Sequence, residues 1–302
     1  MREHIEIQHF NKYINLTYSR FTSIQIIKLL PNDRSESRVC FLKILNTTFY
    51  NMKRNYNIIG DIHGMTKWKK FVKDDAVNVF LGDYFDPYIN ISFEKLKENF
   101  ESIIEFKKNH PETVLLLGNH DTHYIYKRKE SSRYIYSNCD DIYQLFMDNI
   151  NCFTGVAFAP DSHYLCSHAG FSKSWINTLS SQYKVDTPDT LDDAQVLANW
   201  ANNLFTLSIT NDKNNAKYRE MFMFSKYADV NDYYGTSRCH SCIWIRPVEL
   251  LFDSVSDKIV QIVGHTEVGK PLKEINEKGN RIVFTDCLRT KKANSYLLPI
   301  DE

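Results

Sequence analysis

Five times along this chain an apolar run stops at a short polar loop that carries carboxylate, amide or imidazole side chains, and the fold has to accommodate that repetition. The run 56–59 ends at Gly60-Asp61-Ile62-His63-Gly64, 77–81 ends at Gly82-Asp83-Tyr84-Phe85-Asp86, and 114–117 ends at Gly118-Asn119-His120-Asp121. Two more follow, 164–166 before Ser167-His168-Ala169-Gly170 and 259–263 before Gly264-His265-Thr266. Short apolar runs bounded in this way read as buried strands. α/β proteins place their ligands beyond the ends of such strands. Each of the five loops offers a hard or borderline metal ligand.

The segments between the runs carry helix signals, so the class is mixed α/β (α+β). Ser92 caps a helix whose Phe93, Leu96, Phe100, Ile103 and Ile104 share one face and which Pro111 stops, and Thr66 reads as the N-cap of a short helix through Phe71 and Val72. A strand is expected at 113–117. A polar, tyrosine-rich excursion over 124–141 precedes a short amphipathic helix around 142–147. Runs 152–159 and 164–167, separated by Pro160-Asp161-Ser162, read as a hairpin. Residues 172–232 read as a mainly helical insertion over the site. Strands at 259–263, 272–275, 281–284 and 295–298 follow, and residues 54–302 read as one catalytic domain. Residues 1–53 carry no ligand loop and read as an N-terminal extension of uncertain order: an accessory hairpin or helix, a poorly ordered segment, or the product of a start upstream of Met52.

Composition narrows the partners. The 302 residues, 43% of them apolar, can fill a sizeable core. Lys and Arg number 37, Asp and Glu also 37, and the two signs are interspersed, so there is no basic stripe of the kind that holds nucleic acid. The longest apolar stretches are far shorter than a membrane span, and the N-terminus lacks the order of a signal peptide, which together lead to the expectation of a cytoplasmic protein that binds no membrane. The seven cysteines are an odd number, and Cys152, Cys166 and Cys287 lie in apolar segments, which suits reduced thiols better than disulfides. Nothing in the pattern sets an oligomeric state.

Brought to one sheet edge, these side chains can hold two divalent ions. Asp83 is the acid best placed to bridge them, since a carboxylate has two oxygens to share. Asp61 and His63 complete the ligands of the first ion, and Asn119, His168 and His265 those of the second. Two ions bring four positive charges and the two aspartates return two, leaving a surplus that suits a phosphoryl group and a hydroxide bridging the ions. His120 is the natural proton donor to the leaving oxygen, with Asp86 on its other nitrogen as an acid dyad. Oxygen and nitrogen ligands without thiolate select manganese, iron or zinc. Cys239-His240-Ser241-Cys242 lacks a second ligand pair and is not taken for a zinc site. His123 and His163 read as a loop and a turn residue.

The ordered series Gly-Asp-x-His-Gly, Gly-Asp-x-x-Asp, Gly-Asn-His-Asp, His-Ala-Gly and Gly-His-Thr resembles the calcineurin-like metallophosphoesterase superfamily. Within it, the series is closest to the phosphoprotein phosphatase branch, which contains Ser/Thr protein phosphatases and bacterial symmetrical dinucleoside-tetraphosphate hydrolases. The resemblance covers about 56–298. It implies a central two-sheet β-sandwich flanked by helices with a dinuclear site at the strand ends, and it puts Asp61, His63, Asp83, Asn119, His168 and His265 on the metals and His120 with Asp86 in the acid dyad. In that branch the second motif continues Asp-Arg-Gly, whereas here Asp86 is followed by Pro87 and Tyr88, and the third motif has Asp121 where glutamate is usual. The missing cation has a candidate in Arg246, since Trp244-Ile245-Arg246-Pro247 resembles the Trp…Arg-Pro stretch of bacterial members; Arg128 and Arg238 are weaker candidates.

The function implied is metal-dependent phosphoester hydrolysis of the Ser/Thr phosphatase type, acting on a phosphorylated protein or a small phosphorylated substrate held by Arg246 and Asn119. The alternatives are a dinucleoside-polyphosphate hydrolase and a catalytically silent scaffold. A phosphodiesterase acting on DNA ends shares the metals, but the balanced charge disfavours it.

Overall fold

The computed structural model describes residues 55–210, 216–227, 236–275, 279 and 281–298. The extension at 1–53, including Met52, lies outside them. Two sheets stack face to face. The first has the order β3-β2-β1-β9, with β1 (Asn55–Ile59), β2 (Ala76–Phe80) and β3 (Val114–Leu115) parallel and β9 (Tyr296–Leu298) antiparallel beside β1. The second has the order β4-β5-β6-β8-β7. In it β5 (Tyr164–Ser167), β6 (Val260–Val263) and β8 (Arg281–Phe284) run parallel, while β4 (Ala157–Phe158) and β7 (Leu272–Ile275) are antiparallel edges.

Alternation along the strands builds the layers. Ile58, Val77, Val79, Leu81, Val114 and Leu116 from the first sheet meet Cys166, Val260, Ile262 and Val283 from the second in one buried cluster. The opposite-facing Ile59, Phe80 and Leu115 join Leu96, Phe100, Ile103 and Ile104 of α1 (Phe93–Asn109) in a second. Strands covered on both faces need apolar residues at successive positions, which is why these runs read as continuous. Each fully buried Val, Leu or Ile contributes about 1.5–3 kcal/mol.

Several local expectations need correction. Thr66 does not cap: Met65 precedes a 3-10 turn at Thr66–Lys70, with no side-chain cap. The run 152–159 shortens to β4, because Ile150–Cys152 forms a 3-10 turn and Gly155 takes a positive φ of 126°. Asn119–Ile125, expected as a loop running into a polar excursion, is a helix, α2, and α3 (Cys139–Asp148) begins before 142. A further helix, α7 (Pro247–Asp253), starts on Arg246 with Pro247 in its first turn.

Between β5 and β6 lie α4 (Lys173–Tyr183), α5 (Ala194–Ile209) and α6 (Ala216–Glu220). One of them closes an edge of the second sheet. Asn202 on α5 accepts bonds from the Val156 and Ala157 amides at 2.9 and 3.1 Å and donates to the Ala157 carbonyl at 2.9 Å, so the edge strand β4 is closed by a side chain. Among the described residues no helix is long and apolar enough to cross a membrane. Cys166, Cys242 and Cys287 are buried free thiols and Cys152 a half-buried one.

Candidate functional site

The loops that follow β1, β2, β3, β5 and β6 carry the five motifs, and because these strands are parallel within their sheets the loops emerge on one edge of the sandwich. Asp61, His63, Asp83, Asn119 and His168 are all buried there, and His265 is half-buried. The backbone is bent hard to deliver them. His63, Asp83, Asp86 and His265 have φ of 43°, 56°, 57° and 64°, the left-handed region, at a cost of order 1–3 kcal/mol each that the surrounding packing must sustain. The loops also leave no room for extra atoms. A Cβ on Gly118 would overlap Asp83 Oδ1, and one on Gly264 would overlap Asp61 Oδ1.

Outer hydrogen bonds set which imidazole atom faces inward. His63 Nδ1 donates to the Phe85 and Asp86 carbonyls at 3.1 and 3.0 Å, His168 Nδ1 to the Leu81 carbonyl at 2.9 Å, and His265 Nε2 to the Trp244 carbonyl at 3.1 Å. Carbonyls only accept, so in each neutral ring the other nitrogen turns a lone pair into the site. Burial keeps the rings neutral. It is the main reason His63 and His265 fall well below the ordinary histidine range, and it takes His168 down to about 3.

The inward atoms form two groups that share one oxygen. Asp83 Oδ2 lies 3.5 Å from His63 Nε2 on one side and 3.4 Å from His168 Nε2 on the other. His63 Nε2 is also 3.9 Å from Asp61 Oδ2. In the second group, Asn119 Oδ1 lies 2.8 Å from His168 Nε2 and 3.0 Å from His265 Nδ1, and those two nitrogens are 3.2 Å apart. Lone pairs facing each other at this range repel unless a cation lies between them. Two ligands about 2.1 Å from one ion stand about 3.0 Å apart at a right angle and about 3.4 Å apart at the tetrahedral angle, so the spacings fit ion-sized gaps. Asp61, His63 and Asp83 form one group able to hold a metal, and Asp86, His120 and His123 another. The carboxyls carry the same message. Burial, with Asp286 beside Asp61 and Asp61 beside Asp83, pushes both well above the ordinary carboxylate range, a strain that bound cations would relieve.

The remaining oxygens are tied to backbone. Asp83 Oδ1 accepts from the His120 amide at 2.9 Å, and Asp61 accepts from the His265 amide at 3.0 Å. Asp121, the departure from the usual glutamate, accepts from the Gly118 and Asp83 amides at 2.8 Å and from the Tyr84 amide at 2.9 Å. One carboxylate therefore locks the second loop to the third.

Asp86 lies at the centre of a denser cluster than the sequence suggests. His120 Nδ1 stands 2.6 Å from its Oδ2, His123 Nε2 2.9 Å from the same oxygen, and Tyr124 donates to Oδ1 at 2.5 Å. Burial pushes the Asp86 carboxyl up, yet the His120 and His123 contacts outweigh it and leave it below the ordinary range. His120 falls to about 4 because burial outweighs the pull of Asp86. His123, expected in a loop, is fully buried on α2, where Ser131 Oγ joins its Nδ1 at 2.7 Å and His120 Nδ1 at 3.1 Å. Its position one helical turn after His120 was the available signal.

Arg246 is half-buried beside the site, with Nη1 donating to Thr266 Oγ1 at 3.2 Å. Arg128 and Arg238 are not brought to it: each forms a 2.9 Å ion pair, with Glu130 and Glu249. His240 stacks on Phe224 with ring centres 4.6 Å apart, and His163 is exposed in its turn. The sequence pattern passes over a sixth loop, the one after β8. It places buried Asp286 close enough to Asp61 to raise that carboxyl, and Arg289 follows it. No glycine-led motif marks this loop.

A family model described as calcineurin-like phosphoesterase matches residues 56–268 of the 302. The chain belongs to the calcineurin-like phosphoesterase family. The stacked sheets and convergent loops are this family's architecture, as the sequence resemblance implied, and the matched stretch contains all five motifs. The chain is also similar to a solved protein serine/threonine phosphatase from Saccharomyces cerevisiae, itself described as similar to human phosphatase PP5, at 16% identity and a TM-score of 0.39 over 78% of this chain and 68% of that one. No curated protein matches it.

Proposed function

We propose that this phosphoesterase hydrolyses phosphate monoesters with two divalent ions, manganese first among manganese, iron and zinc, held by Asp61, His63, Asp83, Asn119, His168 and His265. Phosphoserine and phosphothreonine are the leading substrate class. The observation that carries the reading is the shared Asp83 oxygen, 3.5 Å from His63 and 3.4 Å from His168. Two ions held there would supply Lewis-acid stabilisation of the phosphoryl oxygens and would bring the pKa of water toward neutrality.

The chain's own groups supply the rest. Asp61 and Asp83, anchored by backbone amides, set the positions the ions would take. Arg246 and the Asn119 amide bind the phosphoryl group. His120 presents Nε2 to the leaving oxygen, since its Nδ1 is held by Asp86, and a phosphoryl dianion beside it raises the ring's pKa and charges it for proton transfer. The cytoplasmic placement belongs to the same proposal.

The test is elemental analysis combined with turnover of a phosphopeptide, p-nitrophenyl phosphate and diadenosine tetraphosphate in manganese. Near two ions per chain with turnover of the phosphopeptide is expected. A clear preference for the dinucleotide would move the assignment to anhydride hydrolysis, and metal-loaded protein that turns over none of the three would make the chain a scaffold.

A further inference from the structure

Asp86 is followed by Pro87-Tyr88, and the tyrosine organises two arginines. The guanidinium carbons of Arg133 and Arg289 each stand 3.5 Å from the centre of the Tyr88 ring. Two such groups cannot share one face at that distance, so they lie on opposite faces with the ring between them. This is a stacking geometry for guanidinium on an aromatic face, and it leaves the N–H edges available to acceptors.

The stack stands at the mouth of the candidate metal site. The Tyr88 ring centre is 4.9 Å from that of His63, whose ring is 5.1 Å from that of His120. Tyr88 is 48% exposed, so the stack is open to solvent. Arg289 is shared with Glu267 at 3.2 Å and Asp286 at 3.4 Å. Among the described residues no carboxylate lies within ion-pair distance of Arg133. Its Nε and that of Arg289 are buried with no hydrogen-bond partner. Arg133 is itself held at a φ of 60°, a backbone conformation unfavourable for arginine. Two like charges facing each other across one ring repel, and a bound anion relieves that repulsion. None of this serves the core, and Arg289 lies beyond the stretch that matches the family model.

We propose that Arg133 and Arg289, clamped on Tyr88, form a second anion subsite that binds a phosphate adjacent to the one being cleaved, so that the site binds a diphosphate more tightly than a single phosphate and admits phosphoanhydrides beside the monoesters proposed above. The inference rests on the phosphoester-hydrolase reading for the position of the cleaved group. The short path from Tyr88 to His63 suits a phosphate bonded directly to the scissile one. Such a substrate makes bidentate contacts to two planar guanidinium groups that a lone phosphoryl group, held by the metal site, does not reach.

The test is calorimetric titration of the manganese-loaded full chain, in excess manganese, with methylenediphosphonate, a diphosphate whose P–C–P bridge is not hydrolysed, and with inorganic phosphate. Wild type is expected to bind the diphosphonate at least tenfold more tightly than phosphate, a gap of about 1.4 kcal/mol. Arg133→Met with Arg289→Met closes the gap, and Tyr88→Leu, which removes the platform at an exposed position, narrows it by threefold or more. Arg133→Met alone, which leaves no acid without its partner among the described residues, replaces the double variant if that one does not fold. A gap absent from wild type, or intact in the arginine variants, overturns the subsite. Loss of p-nitrophenyl phosphate turnover in wild type would overturn the hydrolase reading separately, because the binding gap is measured without turnover.

Discussion

His120 is the residue whose proposed role is most open to a kinetic test, because its ring stands outside the proposed ligand set of Asp61, His63, Asp83, Asn119, His168 and His265. Its backbone amide holds Asp83 Oδ1, so a side-chain change leaves that anchor in place. His120→Asn is expected to leave metal content unchanged and to lower turnover of alkyl phosphates by roughly 10²–10⁴-fold, with a far smaller loss on p-nitrophenyl phosphate, whose leaving group needs no proton. Equal losses on both esters would remove the acid role. Gly264 tests packing in place of chemistry. Gly264→Ala pushes a methyl group into Asp61 Oδ1, and the expected outcome is loss of stoichiometric metal by elemental analysis in protein that retains its far-ultraviolet circular dichroism. At this scale much was legible, since the residues that converge at the edge announce themselves by residue type and order. Ser131, Tyr88 and Arg289 were not, because a side chain that acts through a neighbour, or arrives from a loop with no motif, leaves no local pattern, and His123 was missed because its spacing from His120 counts only once Asn119–Ile125 is helical.

Among the elements, strand positions could be read because each core strand is covered on both faces and so runs apolar, as in 77–81 and 259–263. Helix α2 could not. Its residues Asn119 to Ile125 are dominated by turn-forming and polar types, and it is helical because Gly118 and Asp121 fix its first turn and the rest of it is buried. β4 was overcalled for the opposite reason, since 152–159 has strand-like residues but only Ala157 and Phe158 form a strand, Gly155 meeting Leu116 in an isolated bridge. That short edge depends on α5. Asn202→Ala removes three bonds to the backbone of 156 and 157 and is expected to cost about 1–3 kcal/mol in urea unfolding, with metal content per folded molecule unchanged. A variant as stable as wild type would mean that the apolar contacts of α5 suffice to hold the edge. A related coupling runs from the helical segment to the site. Trp244 donates from its indole to the Phe222 carbonyl at 3.0 Å while its own carbonyl accepts from His265. Phe222, which follows α6, therefore helps orient a candidate ligand through Trp244.

Among the described residues, buried carboxyls and imidazoles gather at one edge, and that makes stability depend on pH and metal together. Asp61 and Asp83 are raised above the ordinary carboxyl value of 3.8, chiefly by burial. A group raised in the folded state contributes stability below its unfolded value and loses it as pH climbs through the folded value. The three inward histidines are depressed, His168 to about 3, so their contribution is present above the ordinary value of 6.5 and is lost as pH falls below it. Metal-free protein is therefore penalised from both directions. Cations need ionised carboxylates and neutral imidazoles, and the imidazoles already meet that condition in the folded state, so the protons released on metal uptake come from the two aspartates. The rise in melting temperature on adding manganese is accordingly expected to widen from about pH 5 to about pH 8, and calorimetry in buffers of different ionisation enthalpy is expected to register proton release on uptake. Manganese stabilisation that shrank with rising pH, or uptake without proton release, would mean that the buried carboxylates do not bind the metal.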